Sequence, residues 1–109
     1  MNTISPEELA YMFKVFSTLN GIYRIEVIRT SPEEGKISVY CRGEHLIDLF
    51  DSTKDSWDKY FKIVHTLREI AYLYDKLTVI HTGKASIYFL DEQMMKEVCQ
   101  KINCDSIKT

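Results

Sequence analysis

Little in this chain is of the kind that names a chemistry. There are three cysteines, two prolines and four glycines in 109 residues. Cys41, Cys99 and Cys104 are odd in number and fall in separate expected elements. That argues against a disulfide framework and for a reducing compartment. No apolar run approaches the length of about 18 residues that a spanning helix needs. The start, Met1-Asn2-Thr3-Ile4-Ser5, has neither the basic nor the apolar region of a signal peptide. These absences point to a soluble, cytoplasmic protein with no membrane partner. An excess of one charge is missing too. The net charge is −2, and it is spread evenly along the chain. No basic stripe is available to release counterions from nucleic acid, and no acidic block imitates DNA. Nucleic acid is therefore not the expected partner. No glycine-rich loop cradles a phosphate, and no serine or threonine sits in a nucleophile elbow. The sequence implies no cofactor and no metal.

What is present is a core and clear punctuation. Hydrophobic residues make up 45% of the chain, too many for disorder and enough to bury a core without metal or disulfide staples. With no repeat, linker or low-complexity stretch, residues 1–109 read as a single compact α+β domain.

The first element is a helix opened by Ser5 as N-cap, with Pro6 at the first helical position and Glu8 closing a capping box. Leu9, Met12, Phe13, Val15, Phe16 and Leu19 share its apolar face, and Asn20-Gly21 ends it. Ile22 to Thr30 alternates, with Tyr23, Ile25 and Val27 on one side and Arg24 and Glu26 on the other, which is a half-buried strand. Ser31 to Gly35 is a turn. A second strand spans Lys36 to Arg42. Gly43-Glu44 reads as a two-residue hairpin turn, and a third strand spans His45 to Phe50. A long helix follows from Trp57 to Leu77, capped by Ser52, Thr53 or Asp55. Leu77 to Thr82 and Ala85 to Leu90 form a hairpin about Gly83-Lys84. Asp91 caps a last helix with Met94, Met95, Val98, Cys99 and Ile102 on its apolar side. The order is α-β-β-β-α-β-β-α. Short hairpin connections make the five-stranded sheet mainly antiparallel, with helices on one face in a two-layer sandwich. In order of elements this resembles compact dimeric chaperone-like α+β folds, an analogy of topology that carries no function.

The long helix has more apolar surface than a sheet can use. Trp57, Tyr60, Phe61, Ile63, Val64, Leu67, Ile70, Ala71, Tyr74 and Leu77 cover an arc of roughly 200°, where a helix resting on one sheet needs about 100°. Either the neighbouring helices take up the surplus, or a homodimer forms through it with Trp57, Tyr60 and Phe61 as anchors.

Candidate chemistry is sparse. Gly21-Ile22-Tyr23 resembles the first motif of the GIY-YIG nucleases, which pair two strand tyrosines with an arginine, a histidine and a metal-binding glutamate. On that reading Tyr23, Tyr40, Arg42 and Glu44 form the site of a small metal-dependent nuclease. The second motif, however, reads Val39-Tyr40-Cys41-Arg42-Gly43, and a whole helix precedes the first. Gly21 as a helix cap explains the match more simply. Cys41, His45, Cys99 and Cys104 lack zinc-ligand spacing. Cys41 has no base nearby in sequence, although His65 or His81 can reach it only through the fold. The hairpin register places Asp48 opposite Val39, which aims a carboxylate at the core, where it needs a partner or a raised pKa.

One surface is suggestive. Arg24, Glu26, Tyr40, Arg42 and Tyr88 are expected together on an outward sheet face, near Lys36, and tyrosine and arginine are the residue types that dominate binding hot spots. The sequence thus points to a small non-catalytic protein-binding module of the inhibitor, immunity or adaptor type. It would act on another protein through this face or through the apolar helix. A nuclease and a weak nucleic-acid-binding module with stacked tyrosines are the alternatives.

Overall fold

The structure is a computed structural model, and it describes residues 22–74 and 78–103 together with Glu7 and Tyr11. Its elements run β1 (Ile22–Ser31), β2 (Glu34–Cys41), β3 (Glu44–Asp51), α1 (Trp57–Leu73), β4 (Thr78–Thr82), β5 (Ala85–Asp91) and α2 (Glu92–Ile102). The expected first helix lies outside the described residues, apart from Glu7 and Tyr11, both helical.

The five strands form one antiparallel sheet in the order β3-β2-β1-β5-β4. The meander β1-β2-β3 runs out to one edge. Helix α1 then carries the chain across to the other edge, where the β4–β5 hairpin returns to pair with β1. The fold is α+β, as the sequence implies.

Alternation decides which side each strand residue takes. Tyr23, Ile25 and Val27 of β1 share a face with Val39 and Ile37 of β2 and with Tyr88 and Leu90 of β5. This face meets Tyr60, Ile63, Leu67 and Ile70 of α1 and Met95 and Val98 of α2 in one core. At its upper end Phe50, Trp57 and Tyr60 pack ring against ring, with centroids 4.9–5.3 Å apart. Room for Trp57 comes from Gly35: a Cβ there would stand 3.0 Å from the indole and 2.9 Å from the Ile28 carbonyl oxygen.

The surplus apolar arc of α1 is mostly taken up inside the molecule. The helix α2 closes one flank, with Lys101 near Glu69 and the Tyr74 hydroxyl donating to Glu97. The helix also ends at Leu73 rather than Leu77, because Tyr74 takes an extended conformation, its N–H still bonded to the Ile70 carbonyl. Its N-cap is Ser56, without a side-chain cap bond. Of the expected caps, Thr53 instead donates its N–H and hydroxyl to Asp51, and Asp55 accepts the Asp51 N–H. At α2 the expected cap is in place: Asp91 accepts the Met94 N–H at 2.9 Å.

The β2–β3 hairpin differs from its expected form. Its two-residue loop is Arg42-Gly43, closed by Cys41 and Glu44. Both loop residues have positive φ, 57° and 81°, the primed turn that suits strand twist. Two bulges follow, at Leu46 and Leu49, and the first of them places Asp48 opposite Ser38 rather than Val39. The Leu46 bulge turns Asp48 to the face away from the helices, and the Leu49 bulge returns Phe50 to the core opposite Ile37.

Among the described residues no helix is long and apolar enough to cross a membrane. Cys41 is a free thiol, whereas Cys99 is disulfide-bonded. The bond at Cys99 departs from the expectation, drawn from the cysteine count, that the chain has no disulfide.

Candidate functional site: a braced polar strip on the outer sheet face

On the side of the sheet away from α1 and α2, cross-strand neighbours build a chain of directed contacts. Arg24 lies opposite Tyr40, and its guanidinium stacks over the phenol ring at 4.3 Å. Tyr40 lies opposite His45 and meets it edge to face, with centroids 5.4 Å apart. His45 Nε2 stands 2.8 Å from Asp48 Oδ1, the same oxygen that accepts the Ser38 hydroxyl at 2.7 Å. Lys36 Nζ approaches the other oxygen, Asp48 Oδ2, at 3.6 Å. Behind Tyr40, Arg24 Nε stands 3.1 Å from Glu26 Oε2. That contact is too poorly aligned for a hydrogen bond, so the buried Nε–H has no acceptor among the described residues.

Exposure divides this face. The side chains of Arg24 and Glu26 are only 13% and 18% exposed. Ile87 and Phe89 are buried beside them on β5. The open part is the β2–β3 half, where Lys36 and His45 are exposed and Tyr40 and Asp48 half-covered. Arg42 is exposed at the hairpin tip.

The electrostatics follow from this packing. Burial draws the Asp48 pKa upward, but hydrogen bonds from His45 and Ser38 and the Lys36 charge outweigh it, and the carboxyl lies below its ordinary value. Burial, with Glu26 nearby, pushes the Tyr40 hydroxyl up against the opposing pull of Arg24. Asp48 is therefore the anionic hub of the strip, and Tyr40 its neutral aromatic post.

The arrangement holds side chains; it does not activate a nucleophile. A serine nucleophile must give its proton to a base that a third group orients. Here Ser38 donates to Asp48 and not to His45, and it is 6% exposed. Among the described residues no three His, Cys, Asp or Glu side chains converge as a metal site requires. A groove of about 450 Å³ at the upper end, beside Thr30, Glu34, Lys36 and Asp51, offers a carboxylate already engaged by Thr53.

Of the surface expected from sequence, Arg24, Glu26 and Tyr40 do share this face, and Arg42 stands at its end. Tyr88 does not belong to it. It lies on the helix face opposite Ile25 and is 4% exposed. Burial raises its pKa while Arg68 of α1 pulls it down by charge and hydrogen bond. Ser38, His45 and Asp48 complete the strip instead, beside Lys36, which was expected there. Asp48 was conspicuous in the sequence for the wrong reason, as an inward acid. Ser38 and His45 carried no signal that a local reading could use.

The other sequence candidates are scattered. Tyr23 is buried on the helix face and Tyr40 stands on the outer face, so the two tyrosines of the nuclease-like reading do not meet. Cys41 pairs across from Tyr23 on the helix face, His65 faces Glu69, and His81 faces Ser86. In the expected dimer anchor, Tyr60 is buried in the core and Trp57 is packed beneath the Arg29 guanidinium at 4.3 Å. Phe61 alone of the three is well exposed, at 53%. No family model matches the chain, and neither a curated protein nor a solved structure matches it.

Proposed function

We propose that the protein is a non-catalytic protein-binding module, of the inhibitor, immunity or adaptor type, which acts by occupying another protein through the open β2–β3 half of its outer sheet face. The observation that carries this reading is the bracing of Tyr40, held between the Arg24 guanidinium and the His45 ring while Asp48 holds His45. A half-exposed aromatic fixed in one rotamer loses little further entropy on binding, and preorganisation of this kind is what converts contact area into affinity. Tyrosine flanked by arginine is also the composition of interface hot spots. Lys36, His45, Asp48 and Arg42 around it supply a polar rim of mixed charge, which selects a complementary partner rather than a generic polyanion.

The test is affinity capture with the folded wild-type chain and with Tyr40→Ala, followed by titration of the captured protein. Truncating a hot-spot tyrosine is expected to cost about 2 kcal/mol or more of binding, roughly a thirty-fold loss, in a module whose thermal unfolding remains cooperative. Arg24 is too enclosed for a clean variant, since its removal disturbs the sheet itself. A partner bound equally well by wild type and Tyr40→Ala would remove this face from the proposal.

A further inference from the structure

The sheet has two edges, and they are built differently. An exposed strand edge invites pairing with another chain, so proteins guard such edges with bulges, charges or proline. The β3 edge is guarded twice over. Bulges at Leu46 and Leu49 break its register, and Glu44, His45, Asp48 and Asp51 line it. The β4 edge has none of these devices. Its sequence is Thr78-Val79-Ile80-His81-Thr82, without acid, lysine, arginine, proline or glycine, and it pairs with β5 in unbroken register along its whole length.

We infer that β4 is a self-association edge. Two copies of the chain pair their Thr78–Thr82 strands antiparallel about a two-fold axis at Ile80, which joins the two sheets into one.

The backbone geometry favours this register. Thr82 and Ala85 close the two-residue loop at Gly83-Lys84, and such a closing pair exchanges both of its hydrogen bonds. Alternation then turns the N–H and C=O of Thr78, Ile80 and Thr82 toward β5, and those of Val79 and His81 toward the free edge. With the axis at Ile80, Val79 of one copy faces His81 of the other, twice. These are the residues whose donors and acceptors point outward. Ile80 meets Ile80 in the close, non-bonded position between them, and Thr78 faces Thr82. No like charges oppose one another anywhere along the pairing, so the strand is complementary to itself, as an isologous contact requires.

The helix above this edge adds apolar surface to the same contact. Arg68 reaches Tyr88, the β5 neighbour of Val79, so the α1 flank that carries Arg68 overhangs β4. Val64 and Ala71 lie on that flank, both half-covered, and Phe61 and the strongly exposed Tyr72 continue it. The opposite flank is closed by α2 through Glu69 and Lys101. Pairing the β4 edges brings two such flanks together. The inference is independent of the partner-binding face on β2 and β3, and it does not use Trp57 or Tyr60, which the core has absorbed.

Sedimentation equilibrium of the full chain across the micromolar range tests it. Wild type is expected to be dimeric and His81→Pro monomeric, with unchanged far-UV circular dichroism, because proline on an edge strand removes only a donor that faces outward. Residues in the non-bonded antiparallel position have Cα atoms about 4.5 Å apart, within reach of a disulfide. Ile80→Cys is therefore expected to cross-link two copies through the introduced thiols under mild oxidation, mapped by peptide mass spectrometry. Leu46→Cys on the guarded edge is expected to stay uncoupled. A wild type that remains monomeric overturns the inference. So does a dimer that survives His81→Pro or that Ile80→Cys fails to cross-link. Should His81→Pro not fold, the cross-link alone decides.

Discussion

On the helix side of the sheet, Tyr23, Ile25, Val27, Ile37 and Val39 meet Leu67, Ile70, Met95 and Val98 by volume alone. On the outer side, Arg24, Ser38, Tyr40, His45 and Asp48 are held by specific atoms at specific distances. The first face is stabilised by removing apolar surface from water, which has no preferred direction. The second depends on alignment, and a donor left without its acceptor costs more than the bond contributed. One face makes the protein stable; the other, through the same strands, presents a shaped pattern of charge to the outside.

The comparison can be broken most sharply on the helix side. Leu67 is fully enclosed, and Leu67→Ala is expected to cost about 2–5 kcal/mol, read as a lower urea midpoint. On the outer side, Asp48→Ala strands the buried Ser38 hydroxyl and is expected to cost about 1–3 kcal/mol. Removing both partners, as Ser38→Ala with Asp48→Ala, should recover part of that loss. A double variant worse than the sum of the singles would show that packing, not pairing, governs this face.

The outer face should also carry a pH signature that the helix face lacks. The Asp48 carboxyl titrates below its ordinary value in the folded chain. Its ionised form is favoured by folding, so its contribution is fully present above the unfolded value of about 3.9. That contribution is lost as pH falls through the lower folded value. Urea titrations on the acid side should show wild type losing stability there more steeply than Asp48→Asn. Equal slopes would mean that the His45, Ser38 and Lys36 contacts do not favour the charged form.

The smallest effect is expected at the β2–β3 turn. Arg42 adopts a positive φ of 57°, and the left-handed region costs an ordinary residue roughly 1–2 kcal/mol. Asparagine tolerates that region better, so Arg42→Asn is expected to raise stability by up to about 1 kcal/mol. A destabilised Arg42→Asn would show that the arginine side chain contributes more than its backbone costs.

The limits of a local reading are visible in two strands. β1 was legible because one of its faces is apolar and the other carries Arg24 and Glu26, so alternation shows directly which side is inward. β5 was not, because it is buried on both sides: Ile87 and Phe89 on one, Tyr88 and Leu90 on the other. A doubly covered strand has no alternation to read, and Tyr88 was accordingly assigned to the wrong face. The Asp48 error has another cause. The bulges at Leu46 and Leu49 leave no local mark, since leucine fits a regular strand equally well. One unannounced insertion into the pairing, at Leu46, was enough to carry Asp48 from the expected core to the outer strip and to assemble it with Ser38 and His45.

By itself the sequence determined the kinds of elements and their order between Ile22 and Ile102, the turn at Gly83-Lys84, the Asp91 cap and the apolar side of α2. Each of these is set within a few residues, by φ preference, by a single capping bond or by hydrophobic period. Only the tertiary structure decided the strand order β3-β2-β1-β5-β4, the register of β3, the face given to Tyr88 and the bracing of Tyr40. These depend on which segments far apart in the chain come to lie side by side, and a pairing between distant strands is selected by the packing of the whole molecule.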